Sequence, residues 1–364
     1  MVMHRTMTRY ADEAEALDAE ILHAIDSRSV PDFNDLALRI FAHQLRYNEP
    51  YARYCDAAGV RLDSLPASWK EIPPVPAFAF KEAALCTFDP RRAELVFETS
   101  GTTLGLGGRH YMESSKLYEA ALLAGFGDAV ASRSDRPLRY VLLVANPAQQ
   151  PSSSLGYMMA KVAASFGDGR ETWCVDESVL RADRFAAAIA DAAAANAPVC
   201  VAATAFVLVQ LFDELTRNGR PCASLPPGSI VMETGGFKGK TRTLHREALY
   251  RDIVRWFAIE QDAIVGEYGM TELSSQYYDD AQRIKRAPPW LRPRIVAANG
   301  DEVPTGTAGA IIHVDLANRS SCVAVQTEDV GIAADDDGVI LIGRETHGDP
   351  RGCSLDAEAL STRS

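Results

Sequence analysis

The chain has 364 residues, enough to bury a substantial core, and this length is typical of two domains or of one large domain with an appendage. Hydrophobic residues make up 47% and charged residues 24% of the chain, as in ordinary soluble globular proteins. The formal net charge of −12 argues against a nucleic acid or an anionic membrane as the main partner.

The sequence carries no sign of export or of membrane insertion. Residues 1–5 are followed by polar and acidic residues instead of the apolar stretch of a secretory signal. The longest apolar stretch, 198–212, is shorter than the roughly 20 residues that span a bilayer. Seven cysteines without a CxxC pair favour a reducing compartment over a disulfide framework or a zinc site. Together these features predict a soluble cytoplasmic protein.

The first third of the chain is predicted to be mainly helical. Residues 8–60 carry apolar residues at helical spacing, and Asp32 offers a capped start for a helix over 36–48. The proline-rich segment 72–76 then predicts an extended stretch. A loop rich in glycine and hydroxyl groups, 99–108, is predicted to connect an apolar strand to a helix over 114–125.

Downstream of this loop, short apolar strands alternate with amphipathic helices. The predicted strands are 140–144, 199–202, 229–232 and 263–265, and the predicted helices are 154–166, 181–195, 205–216 and 242–260. This alternation indicates an α/β fold with helix-covered parallel sheets. Four short apolar segments separated by turns then predict a small antiparallel subdomain: 295–296, 310–314, 322–325 and 339–342. The expected division is an N-terminal helical segment, 1–92, an α/β core, 93–292, and a β-rich subdomain with a tail, 293–364.

Four loops that each follow a predicted strand carry the candidate chemistry: 99–108, 234–240, 266–272 and 327–331. Because ligands gather at the carboxyl ends of strands in open α/β sheets, we expect these loops to converge on one crevice. Backbone N–H groups and hydroxyls of the first loop suit phosphate oxygens, and the expected helix start after it adds a favourable dipole. Its spacing matches neither of the two commonest nucleotide motifs, so by itself it is more typical of a plain surface turn.

Single residues in the other loops suit a magnesium nucleotide. Glu272 is a candidate Mg²⁺ ligand, and Tyr268 offers a flat face to adenine. The Asp329 carboxylate suits two ribose hydroxyls, and Arg344 suits ribose or phosphate. For any one of these residues, a capped turn or a solvated charge is an equally good interpretation.

The order of the motifs resembles the adenylate-forming superfamily of acyl-CoA synthetases, peptide-synthetase adenylation domains and luciferases. The motifs are Thr99-Ser100-Gly101-Thr102-Thr103, Tyr268-Gly269-Met270-Thr271-Glu272, Thr327-Glu328-Asp329 and Gly343-Arg344. Within it the chain is most similar to the LuxE-type acyl-protein synthetases, which supply fatty acyl groups in bacterial bioluminescence. That similarity lies in 41–44, 48–51, 72–76, 80–81, 235–239 and 351–355.

The resemblance implies a fold of the adenylate-forming N-terminal type without the mobile C-terminal lid. It implies ATP- and Mg²⁺-dependent activation of a carboxylic acid, here a fatty acid, as an acyl-adenylate, followed by transfer to a thiol. By this resemblance the ATP phosphates would be held by Thr99, Ser100, Gly101, Thr102 and Thr103, and adenine would be framed by Gly235, Gly236 and Tyr268. Thr271 would contact the α-phosphate, and Glu272 would bind Mg²⁺. The ribose would be held by Asp329 and Arg344. Cys353 lies where the LuxE branch carries its acyl-accepting cysteine, and an inert thiol is the alternative interpretation.

Two departures from the superfamily pattern bear on this expectation. The phosphate loop lacks its usual lysine, and either Arg109 or Lys238 is expected to supply the missing positive charge. The chain stops at Ser364 without the lid and its lysine, which agrees with the LuxE branch and weakens a role in CoA-thioester formation. His110, beside the loop, is interpreted either as orienting a substrate carboxylate or as a structural histidine.

Other functions remain open from the sequence. One is an aryl- or amino-acid-adenylating enzyme of secondary metabolism that hands the acyl group to a separate carrier protein or reductase. Another is a non-catalytic protein that binds a nucleotide or an acyl ligand, which the missing loop lysine favours. An acyl-reductase is the partner expected of a LuxE-like protein. The acyl pocket is expected along 154–160, 204–212 and 235–237, which does not identify the acid.

Overall fold

A computed structural model describes residues 2–99, 107–219, 223–235 and 246–344. The helices are α1 (Val2–Ser27), α2 (Phe33–Tyr47), α3 (Glu49–Ala57), α4 (Ala79–Glu82), α5 (Lys116–Ala129), α6 (Ser154–Phe166), α7 (Ala182–Ala194), α8 (Ala205–Arg217) and α9 (Arg246–Phe257). The strands are β1 (Val75–Pro76), β2 (Leu95–Glu98), β3 (Arg109–Met112), β4 (Leu138–Ala145), β5 (Gly167–Asp176), β6 (Val179–Leu180), β7 (Val199–Thr204), β8 (Ile230–Thr234), β9 (Ile264–Tyr268), β10 (Tyr277–Asp279), β11 (Lys285–Arg286), β12 (Leu291–Val296), β13 (Ala308–Asp315), β14 (Ala324–Ala334) and β15 (Gly338–Arg344).

These elements form two compact units. Unit 1 contains the described residues up to Ala121, the short segment Met270–Gln276 and the described residues from Arg286 onward. Unit 2 contains the described residues of Leu122–Gly269 together with Tyr277–Lys285. This division differs from the three consecutive segments expected from the sequence, because unit 1 is built from three separate parts of the chain.

Unit 2 is built on a parallel sheet. Its strands lie in the order β10-β9-β8-β7-β4-β5-β6, with β5, β4, β7, β8 and β9 parallel and the two flanking strands antiparallel. The central strands are continuous apolar runs because helices cover the sheet. Phe185 of α7, Leu208 of α8 and Phe257 of α9 share one buried cluster with Val141 and Leu143 of β4. The α/β class with a helix-covered parallel sheet is therefore confirmed.

Unit 1 contains the mainly antiparallel region. The strands β12, β13, β14 and β15 pair in that order, and Val75 of β1 joins β14 in parallel beside Val325. Helices α1, α2 and α3 confirm the helical prediction over 8–60, and the Asp32 side chain accepts from the Asp35 N–H at 2.9 Å as the expected cap. No helix among the described residues carries an apolar stretch that is long enough to cross a membrane.

Three local expectations were wrong. The helix predicted over 114–125 is present as α5, but residues 109–112 pair with β2 as strand β3, so a strand and not this helix directly follows the loop at 99–108. The favourable dipole at the start of α5 is therefore separated from the loop by β3. Residues 266–268 belong to β9, and 327–331 are not a loop but lie inside β14, where the pairing register shifts between Val330 and Gly331.

Candidate functional site

The glycine- and hydroxyl-rich segment is closed at its base by Thr99. The Thr99 N–H donates to the Gly108 carbonyl at 2.9 Å, and the Gly108 N–H donates to Thr99 Oγ1 at 2.7 Å. A Cβ at Gly107 would lie 2.3 Å from the Thr99 carbonyl oxygen, so only glycine permits this approach. The β2–β3 pair therefore brings the two ends of the segment together, while Ser100, Gly101, Thr102 and Thr103 lie outside the described residues.

Arg109, one of the two cations considered for this loop, already has an anionic partner. Its Nε lies 2.9 Å from Glu98 Oε1 across the β2–β3 pair, and both side chains are exposed. The other candidate, Lys238, lies outside the described residues.

The Thr271–Glu272 motif forms a turn whose carbonyl groups are held from two sides. The Leu273 N–H donates to the Met270 carbonyl at 3.1 Å and closes the turn. The Thr271 carbonyl lies 2.8 Å from His110 Nδ1, and the Glu272 carbonyl accepts from Asn318 Nδ2 at 2.9 Å. Glu272 is 8% exposed. The turn is thus anchored by residues that precede and follow it by many positions in the chain.

His110 acts on this turn as a neutral donor. Burial lowers the pKa of His110 to about 4, although the bond to the Thr271 carbonyl raises it. A carbonyl oxygen only accepts, so Nδ1 carries the proton. The ring of Phe80 contacts the imidazole edge to face, with ring centroids 5.7 Å apart. Of the two interpretations of His110, the structural one therefore accounts for Nδ1, which holds the Thr271 carbonyl.

Asp315 holds the residues that follow the turn. Its carboxylate accepts from the N–H groups of Ser274 and Ser275, both at 2.9 Å, and from the Ser275 hydroxyl at 2.8 Å. Burial raises the pKa of Asp315 to about 6, and these hydrogen bonds oppose that rise. Trp290 Nε1 donates to Ser275 Oγ at 3.0 Å. The sequence analysis did not predict that Asp315 holds these residues. The signal in the sequence is an aspartate at the end of the apolar strand β13.

In unit 2, Gly235 and Tyr268 lie at the carboxyl ends of adjacent parallel strands. The register pairs Thr234 with Glu267, so Gly235 and Tyr268, which follow them, lie at the same edge of the sheet. Gly235 has φ +72°, a left-handed conformation that favours glycine. The Tyr268 ring packs against Tyr277 with centroids 5.6 Å apart. The structure thus brings together two of the three residues expected at adenine, and Gly236 lies outside the described residues.

An ionic cluster of unit 2, buried except for the partly exposed Arg246, was not expected from the sequence. It consists of Glu233, Glu267, Asp279, Lys285 and Arg246. Lys285 Nζ lies 3.1 Å from Asp279 Oδ1, Arg246 pairs with Asp279, and the Thr234 hydroxyl donates to Glu267. Burial alone would raise the pKa of Asp279, but the Lys285 and Arg246 charges hold it low. Burial raises the pKa of Glu267 to about 7.

Asp329 and Arg344 are register partners in unit 1. They face each other across β14 and β15, which pair antiparallel. The Asp329 N–H donates to Thr327 Oγ1 at 3.1 Å within the same strand. The structure therefore brings the two residues expected at ribose into neighbouring positions, although on strands and not in the loop that the sequence indicated.

A model of the family described as acyl-protein synthetase, LuxE, matches residues 8–360. The chain belongs to this family. A search of curated proteins found no match to the LuxE-family chain.

The solved structures described next are similar to this LuxE-family chain at low sequence identity. One is McyG A-PCP complexed with phenylalanyl-adenylate, at 15% identity and a TM-score of 0.49, with 71% of this chain and 42% of that chain covered. ATP-bound MatB from Rhodopseudomonas palustris has 16% identity, a TM-score of 0.49 and coverages of 71% and 49%. The amide bond synthetase McbA from Marinactinospora thermotolerans has 20% identity, a TM-score of 0.47 and coverages of 70% and 49%. The chain spans about half the length of these proteins.

Proposed function

We propose that this LuxE-family chain is an adenylate-forming ligase, which activates a carboxylic acid with ATP and Mg²⁺ and passes the acyl group to a thiol. The family match over residues 8–360 supports the reaction class. The observation that carries the proposal is the Thr271–Glu272 turn, in which both carbonyl groups are hydrogen-bonded to side chains. A turn held in this way restricts the backbone that carries the Thr271 hydroxyl and the Glu272 carboxylate, and transfer at phosphorus depends on the positioning of such groups.

The nucleotide roles follow the expected pairings. Gly235 with Tyr268, and Asp329 with Arg344, are neighbours within their sheets, which supports a shared role for each pair at adenine and at ribose. Thr99 closes the segment proposed to hold the phosphates. Because Arg109 is paired with Glu98, we assign the missing positive charge to Lys238.

The proposed metal ligand suits Mg²⁺. Glu272 offers carboxylate oxygens, and Mg²⁺ usually combines one or two carboxylates with oxygens of substrate phosphates. Within the described ranges, no three His, Cys, Asp or Glu side chains are grouped so as to hold a metal ion. The Glu272 carboxylate fits an ion that is shared with the nucleotide. When bound, Mg²⁺ neutralises charge on the phosphates.

In the proposed reaction a carboxylate oxygen of the acid attacks the α-phosphorus of ATP. The bond from that phosphorus to the bridging oxygen breaks, and pyrophosphate leaves with the electron pair. The Thr271 hydroxyl donates to an α-phosphate oxygen and stabilises the charge that builds up there. A thiolate then attacks the acyl carbon, and AMP leaves.

The described cysteines are poorly suited to accept the acyl group. They are all buried and unpaired: Cys55, Cys86, Cys174, Cys200 and Cys322. Burial raises the pKa of every one of these thiols, to about 11 at Cys86 and higher at the others. Since the thiolate is the nucleophile, each would be almost entirely protonated at neutral pH. Cys222 and Cys353 both lie outside the described residues. We retain Cys353 as the proposed acceptor because its place near the C-terminus matches the acyl-accepting cysteine of the LuxE branch.

The substrate and the setting complete the proposal. The acid is a fatty acid, the protein acts in the cytoplasm, and an acyl-reductase or a carrier protein takes over the acyl group. Family membership supports these assignments, and the following measurement tests the substrate and the acceptor.

Carboxylate-dependent ATP–pyrophosphate exchange tests the adenylation step. We expect exchange with fatty acids, and a loss of at least a hundredfold in Glu272→Gln, which keeps the size of the side chain but loses its charge.

Cys353→Ser should keep exchange and lose covalent labelling by a radioactive acid. Exchange with aromatic or amino acids alone would contradict the fatty acid, and a label that survives in Cys353→Ser would contradict the acceptor. ATP binding without exchange would favour a non-catalytic binding protein.

A further inference from the structure

The two carbonyl anchors of the turn flank a single Cα atom. The Thr271 carbonyl, which meets His110 Nδ1 at 2.8 Å, belongs to the peptide plane that precedes the Cα of Glu272. The Glu272 carbonyl, which accepts from Asn318 Nδ2 at 2.9 Å, belongs to the plane that follows it. Peptide planes are rigid, so hydrogen bonds that hold the carbonyls of both planes restrict φ and ψ of Glu272. They thereby also restrict the direction of its Cα–Cβ bond.

Neither anchor is free to move away. His110 is 1% exposed and Asn318 is 1% exposed. Asn318 makes two further bonds, because its Nδ2 donates to the Cys322 carbonyl at 3.1 Å and its Oδ1 accepts from the Ser274 hydroxyl at 2.6 Å. Its own carbonyl accepts from Gln44 Nε2 at 2.9 Å. If His110 or Asn318 moved away from its carbonyl, a buried polar group would lose its hydrogen bond, which costs free energy of folding.

His110 also connects the turn to the proposed phosphate segment. It is the second residue of β3, and Gly108, just before that strand, closes the segment against Thr99. One short strand thus contacts the turn through the His110 imidazole and ends the proposed phosphate segment through its backbone. A displacement of β3 would change both parts together.

We propose that His110 and Asn318 are positioning residues, which direct the Glu272 carboxylate toward a metal ion shared with the nucleotide phosphates. This inference rests on the proposed metal role of Glu272. Neither residue touches the reacting atoms; each acts through a backbone carbonyl. Partners that orient a metal ligand typically change metal affinity by about 10- to 100-fold when they are removed.

Substitutions at 110 separate positioning from simple packing. In His110→Asn the amide nitrogen, like Nδ1, is two bonds beyond Cβ, so it keeps a donor near the Thr271 carbonyl. His110→Gln carries its donor one bond farther out, and His110→Leu carries none. We expect His110→Gln and His110→Leu to weaken Mn²⁺ binding about tenfold in the presence of ATP, measured by electron paramagnetic resonance without any acid. His110→Asn should stay within about threefold of the wild type, and Asn318→Leu should lose as much as His110→Leu.

His43→Leu is the matched control, because it removes another buried histidine of unit 1, 2% exposed, whose ring packs against Tyr10 and Tyr47. It should leave Mn²⁺ affinity unchanged even if it lowers thermal stability. Equal Mn²⁺ affinity in His110→Asn, His110→Gln and the wild type would overturn the inference, and so would a wild type that binds no Mn²⁺ with ATP. If His110→Leu does not fold, the Asn and Gln variants decide.

This measurement is independent of turnover. A wild type that binds Mn²⁺ with ATP but shows no pyrophosphate exchange would overturn the proposed adenylation, while the comparison of the His110 variants would still decide the role of the anchors.

Discussion

At the scale of residues, Gly266 shows how closely the buried ionic cluster packs against the backbone. A Cβ at this position would lie 2.5 Å from Asp279 Oδ2, 2.6 Å from Lys285 Nζ and 2.7 Å from an Arg246 nitrogen. The Gly266 N–H also donates to Asp279 Oδ2 at 3.2 Å. The ends of these charged side chains occupy the space that a Cβ would need, so they would have to shift if Gly266 were replaced.

Gly266→Ala should therefore destabilise the protein by about 2 kcal/mol, because the new methyl group displaces paired charges in a buried site. The measurement is thermal or urea unfolding. Gly343→Ala is the matched control, since a Cβ there meets no atom within 4 Å. If both variants lost the same free energy of unfolding, the loss would come from replacing a glycine in a strand and not from the close approach to the ionic cluster.

At the scale of elements, the β2–β3 pair changes how the proposed phosphate segment is understood. A strand followed by glycines suggested a loop before a helix, yet the short strand β3, Arg109–Met112, comes first. Its four residues pair with Leu95–Glu98 through contacts that local periodicity does not reveal. Hydrogen bonds between Thr99 and Gly108 join the two ends of this segment, next to the paired strands β2 and β3.

Thr99→Val tests this closure. The variant keeps the shape of the side chain but removes the acceptor for the Gly108 N–H, so we expect about 1 kcal/mol of lost stability and a five- to tenfold higher KM for ATP in pyrophosphate exchange. Thr99→Ser keeps the hydroxyl and should behave like the wild type. A higher KM for the acid instead of for ATP would contradict the assignment of this segment to the phosphates.

At the scale of the whole molecule, buried acids couple stability to pH. Glu267 is the clearest case, because burial raises its pKa to about 7 from the 4.5 of an exposed glutamate, while the Thr234 hydroxyl and Lys285 oppose the rise. The folded protein therefore binds a proton more tightly than the unfolded chain does. The resulting stabilisation is complete below pH 4.5 and is lost as the pH rises through about 7.

We expect the free energy of unfolding of the wild type to fall between pH 5 and pH 8 more steeply than that of Glu267→Gln, by on the order of 2 kcal/mol. Urea titrations at several pH values measure both slopes, and the exposed Glu260→Gln is the matched control. Identical slopes for Glu267→Gln and the wild type would mean that Glu267 is ionised in the folded protein throughout this range.

The sequence alone determined the α/β class, most strands and helices, and the family, because apolar periodicity and motif order are local properties of the chain. It also indicated Thr271 and Glu272 as neighbours in one motif. Strand β5 was missed because its first residues, Gly167–Glu171, are polar and mostly exposed.

Only the tertiary structure decided what supports the candidate site. The bonds from His110 and Asn318 to consecutive carbonyls join residues 161 and 46 positions apart, and no periodic pattern encodes such pairs. The ionic cluster likewise arises from strands and a helix that meet only after folding. Burial then shifts the pKa values of Glu267 and Asp315, since removal from water depends on neighbours that the local sequence does not name.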